Sequence, residues 1–81
     1  MPRYFFDIYE DGQLVKDVDG AELADIDAAR EEALGTLCSM ARDELADGDR
    51  RHFVIAVHNG DEKPLLRATL AVRVERRGAY H

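Results

Sequence analysis

Only one stretch of this chain repeats at helical spacing, and it lies in the middle. Ile26, Ala29, Ala33, Leu37 and Met40 fall on one stripe at 100° per residue, flanked by Leu34, Ala41 and Leu45. Glu31, Glu32, Ser39, Arg42 and Asp43 occupy the opposite face. A lone amphipathic helix has an apolar stripe to bury and no second helix to bury it against. The rest of the chain must therefore supply a sheet. Asp25 is placed to cap the helix N-terminus, and Asp27, Glu31 and Glu32 put acids where the helix dipole favours them. The pattern predicts an end near Ala46, with Gly48 as the stop.

The flanking segments read as strands. Residues 3–10 (RYFFDIYE) are aromatic and β-branched, and Asp11-Gly12 is a tight-turn pair leading into a second strand over 13–18. Asp19-Gly20 ends that strand, and residues 21–25 connect it to the helix. Beyond the helix, residues 52–58 and 65–75 form a third and a fourth strand around a loop that begins at Asn59-Gly60. The order is ββαββ. The predicted class is α+β, with one amphipathic helix packed on one face of a four-stranded antiparallel sheet. Residues 1–77 read as a single domain and 78–81 as a frayed tail.

Side chains alternate across a strand, so the adjacent rings of Phe5 and Phe6 cannot share a core. Tyr4, Phe6 and Ile8 make the better inner set, with Phe53, Ile55 and Val57 on strand three. Strand four contributes Leu66, Ala68, Leu70, Val72 and Val74. On strand two, Leu14 and Val18 compete with Val15 and the choice stays open. Phe5 then stands on the far face with Tyr9, Val54, Ala56, Thr69 and Ala71, ringed by Arg3, His58, Arg67 and Arg73. A contiguous half-apolar patch of this kind marks a partner surface. The candidate partner-binding residues are Phe5, Tyr9, Arg67, Thr69, Ala71 and Arg73.

Charge bears on what that partner is. The net charge is −6, yet residues 51–81 carry +3 against −6 for residues 21–50. Aromatic and arginine side chains interleaved on a sheet suit single-stranded nucleic acid, but the field of the whole molecule opposes it. Chemistry finds little footing. His52 and His58 share a face, but six residues along a strand put them roughly 20 Å apart, too far to hold one ion. They read as surface histidines. The acids Asp17, Asp19, Glu22 and Asp25 lack the spacing of a calcium loop and are explained by turns and caps. The single cysteine, Cys38, has no histidine near it in sequence and reads as a half-buried structural thiol. No phosphate-cradling glycine motif occurs. The expectation is a non-enzymatic domain with no cofactor, no metal and no small-molecule ligand.

No apolar run approaches the roughly 20 residues of a membrane helix. The opening MPRYFFD lacks the plan of a secretory signal, and a lone cysteine suits a reducing compartment, so the expected location is the cytoplasm.

The opening MPRYFFD, the D-x-x-G-x-E-L segment from Asp17 to Leu23, the helix start DIDAAREEAL and the D-G-D-R-R element at residues 47–51 together resemble a family of small uncharacterised bacterial proteins. The resemblance spans nearly the whole chain and implies a domain of unknown function, with no catalytic residue or ligand attached to it. The ββαββ order is also similar to the small domains of HicB-type antitoxins, a likeness of fold alone. The expected role is self-association or docking on another protein. The alternatives are a nucleic-acid-binding accessory domain using the aromatic and arginine face, or an antitoxin-like regulatory adaptor.

Overall fold

The computed structural model describes residues 1–44, 50–61, 63–75 and 77–78. They form one helix and an antiparallel sheet, in the order β1 (Arg3–Glu10), β2 (Gln13–Val15), β3 (Ala21–Glu22), α1 (Ile26–Glu44), β4 (Arg50–His58) and β5 (Leu66–Arg73). The spatial order is β2-β1-β4-β5, and β3 also pairs with β1. This is the α+β, ββαββ arrangement expected, with one addition. The stretch 21–25, read as a plain connection, begins with the two-residue strand β3.

The first hairpin forms as its residues dictate. Asp11 and Gly12 both adopt positive φ, 48° and 89°, as a two-residue hairpin turn with matched twist demands. Glu10 then opposes Gln13, and Ile8 opposes Val15. That register settles the second strand: Val15 shares the inner face with Ile8, and Leu14 lies beside Tyr9 on the outer face. The strand stops at Val15 rather than at residue 18, and Val18 is 82% exposed.

Asp25 caps the helix as expected. Its Oδ1 accepts the Ala28 N–H at 2.9 Å, and its carbonyl accepts that of Ala29. Ala29, Ala33, Leu37 and Ala41 are buried against Tyr4, Phe53, Ile55 and Val57, with Phe6, Ile8, Met40, Leu66, Ala68 and Leu70 packed around them. The small residues Ala29 and Ala33 let the helix lie close on β4 and β5, its main contacts in the sheet.

Three packing expectations need correction. Ile26 and Leu34 are 38% and 36% exposed, because Ile26 sits in the first helical turn and Leu34 on a flank of the stripe. Val74 lies beyond the end of β5 and is 46% exposed, so it does not join the core row. Cys38 is exposed rather than half-buried, since the stripe is narrower than the sequence pattern suggests. The predicted helix end at Ala46, the stop at Gly48, the flanking Leu45 and the tail at residues 79–81 lie outside the described residues.

Candidate interaction surface

The outer face is built by the ladder. Phe5 opposes His58, Asp7 opposes Ala56, and Tyr9 opposes Val54. One strand further, Ala56 opposes Arg67, Val54 opposes Thr69, and His52 opposes Ala71. Phe6 opposes Val57 on the other side, and Val57 is fully buried beneath the helix. The Phe5-Phe6 doublet is thus divided between the two faces.

The six candidate residues separate into two groups. Arg67, Thr69, Ala71 and Arg73 are exposed and all lie on β5. Tyr9, 38% exposed, borders an open hollow with His52, Val54 and Arg67. Phe5 is engaged internally: its ring stacks on His58 with centroids 5.3 Å apart and planes 15° from parallel. On its other side stands Gly20, at φ +71°, where a Cβ would lie 2.9 Å from both Phe5 Cε2 and the Tyr4 carbonyl oxygen. Any side chain there would collide with β1 as well as strain the backbone.

Asp7 was not singled out by sequence reasoning and Asp17 was read only as part of an acidic run explained by turns and caps, yet the two organise this end of the sheet. Between the pairs Tyr4–Ala21 and Ile8–Val15, three residues of β1 face five of the opposing segment. Regular pairing cannot continue across that mismatch. The Asp17 carboxylate takes its place. Oδ2 accepts the Phe6 N–H at 3.0 Å, while Oδ1 accepts those of Gly20 at 3.0 Å and Asp19 at 3.2 Å. Reciprocally, the Asp17 N–H donates to Asp7 Oδ1 at 3.0 Å. Asp7 is buried, at 8% exposure, and its Oδ2 lies 3.1 Å from His58 Nε2. Partial burial pushes the Asp17 carboxyl upward, but the N–H groups of Gly20, Phe6 and Asp19, with attraction to His58, outweigh it and hold it below its ordinary value of 3.8. Arg3 closes the same stretch from outside, donating to the Asp19 carbonyl at 2.8 Å and pairing with Glu22 at 3.3 Å.

His58 is therefore not the surface histidine expected. An aspartate beside a histidine invites comparison with a general base, but both ring nitrogens are occupied. The Gly60 N–H donates to Nδ1 at 3.1 Å, so in the neutral ring the proton sits on Nε2 and faces Asp7. No lone pair of that ring points at solvent to take a substrate proton. The other end of β1 is tied differently, by charge: Arg51 spans Glu10 and Asp11, each at 3.1 Å, and lies over the Phe53 ring. No group of three or more metal-ligating side chains is found among the described residues.

The motif residues thus lock onto one another. Arg3, Phe5 and Asp7 of the opening meet Asp17, Gly20 and Glu22 of the D-x-x-G-x-E-L segment, and Arg51 of the D-G-D-R-R element meets the first turn. Residues 47–49 of that element lie outside the described residues. Comparison with curated proteins and with solved structures gives no match. The chain belongs to the family described as domain of unknown function DUF6894, which matches residues 3–71.

Proposed function

We propose that this chain is a non-enzymatic, cytoplasmic protein-interaction domain whose first partner is another copy of itself. The observation that carries this reading is β5. It is eight residues long, it presents Arg67, Thr69, Ala71 and Arg73 to solvent on one side, and among the described residues it pairs with β4 alone. An edge strand of that length with unpaired backbone groups is a template for a further strand. The exposed apolar residues Leu65 and Val74 flank it at its two ends. The non-enzymatic part rests on the internal use of His58 and Asp7, the pair that would otherwise be the first choice for acid–base work. No helix among the described residues is long and apolar enough to cross a membrane.

Sedimentation equilibrium from micromolar to submillimolar protein tests the reading. The expected result is a mass rising toward that of a dimer with concentration. A constant monomer mass throughout overturns it. Single-stranded oligonucleotide added at low salt separates the competing role: binding that weakens steeply with salt favours nucleic acid instead. Phe5, the ring best placed by sequence for base stacking, is already stacked on His58, which weighs against that role.

A further inference from the structure

We infer that two copies of the chain join through antiparallel pairing of β5 with β5, in the register that sets Thr69 opposite Thr69 of the partner copy. This rests on the self-association reading above and specifies its geometry.

The register follows from parity and charge. Leu66, Ala68, Leu70 and Val72 face the helix side of the sheet, while Arg67, Thr69, Ala71 and Arg73 face away. Pairing must set inner residues opposite inner ones, or apolar side chains meet the wrong face. Among two-fold registers that do so, those centred on Leu70 and on Thr69 each pair seven residues of β5, and a shift of one residue beyond either pairs only five. Centring on Leu70 places Arg67 directly opposite Arg73 of the partner copy, twice per dimer. Like charges directly opposite are destabilising. Centring on Thr69 places each Arg67 opposite Ala71, sets Leu66 against Val72 and Ala68 against Leu70, and leaves a Thr–Thr pair on the axis. Beyond the ladder, the same register brings the end of the segment that carries Lys63 toward the end that carries Glu75 of the partner copy, a carboxylate that already lies 2.8 Å from Arg73.

The helices fit this arrangement. Helix α1 lies over β4 and β5. With strands about 4.8 Å apart, two helices so placed on either side of the new seam run about 10 Å apart. That is within the distance, about 8–10 Å, at which helices pack. The facing flank is mixed, with Leu34 and Cys38 among the exposed charges of Asp27, Arg30 and Glu31. Thr36 lines a hollow with Phe6, Ile8 and Val15, which marks the flank of α1 above β1 and β2. Leu34 lies on the opposite flank, 36% exposed, close in helical angle to the exposed Cys38. The seam therefore covers Leu34 and gives the exposed edge of β5 its missing ladder.

The test is made on the full chain with Cys38→Ser, so that one new cysteine reports alone. Thr69→Cys in that background is expected to form an inter-chain disulfide on mild oxidation, because directly opposed Cβ atoms are about 4.5–5.5 Å apart. Ala71→Cys is expected to stay uncrosslinked, its two copies being about 13 Å apart in this register. Thr69→Lys sets two ammonium groups face to face and is expected to weaken the dimer at least tenfold in sedimentation while the circular dichroism spectrum is unchanged. A dimer that cross-links at Ala71→Cys rather than Thr69→Cys, or that Thr69→Lys leaves intact, overturns the β5 register while self-association stands. A wild-type chain that never leaves the monomer mass overturns both.

Discussion

The two edges of this sheet are finished in opposite ways. At one edge, β1 is covered by β2 and β3, which are three and two residues long, with the segment 16–20 between them. Carboxylates stand in for the missing ladder there, and nothing long or regular faces outward. At the other edge, β5 runs eight residues without interruption, alternates cleanly, and contains neither proline nor an inward-pointing charge. Natural sheets usually blunt their edges with short strands, bulges and charge. The same chain does this thoroughly on one side, whereas the other keeps only the outward charges of Arg67 and Arg73 on a long strand in regular register. We read the difference as a division of labour, one edge closed by the chain itself and one left for company.

The largest effect should come from breaking the closed edge. Asp17→Ala removes the acceptor of three backbone N–H groups at once, with Phe6 N–H in a part-buried position. Hydrogen bonds to a charged group and the orphaned donors together make a loss of about 3 kcal/mol, read as a lower urea midpoint. Gly20→Ala should follow at about 2 kcal/mol, from positive φ and the Phe5 collision, and calorimetry should show a lower Tm.

Acid sharpens the same side of the comparison. The Asp17 pKa is lower in the folded state than in the unfolded chain. The group therefore contributes stability above its unfolded value of 3.8 that is lost as pH falls below it and through the folded value. Urea midpoints of the wild type should fall across that window. Asp17→Asn, less stable at neutral pH, should show a flatter acid limb.

Asp25→Ala touches neither edge and calibrates the others, with a cost of about 1 kcal/mol in the same urea titration for the lost helix cap. Thr69→Lys on the open edge should change the stability of the dilute monomer by less than about 0.5 kcal/mol, as exposed substitutions do. A large loss there would mean that Thr69 is not at the open outer edge that the fold gives it.

What the sequence made legible follows the same division. Strands that face a core on one side declare themselves by alternation, so Phe6, Ile8, Phe53, Ile55 and Val57 could be assigned from spacing alone, and Asp11-Gly12 and Asp25 from turn and cap chemistry. The closed edge and the Asp7–His58 contact behind it were hidden because polar contacts follow no period: Asp17 reaches Phe6 and Asp7 across 11 and 10 residues. Asp7 reaches His58 across 51 residues, and a polar residue at an outward position looks the same whether it meets water or an imidazole. Its one local signal was Asp17-x-x-Gly20, where an aspartate accepts from backbone three residues on. β3 was invisible because two residues carry no period, and Ala21 and Glu22 become a strand only through Tyr4 and Arg3. Phe5 was placed on the correct face, but its stack on His58 of β4 left no signal in the sequence.

Hydrogen–deuterium exchange measured as a function of protein concentration compares the two edges in one experiment. The account predicts that amides of β5 gain protection as concentration rises, while those of residues 13–22 exchange at the same rate throughout. Exchange in β5 that is indifferent to concentration up to the submillimolar range, or protection that grows at the β2 and β3 edge instead, would contradict it.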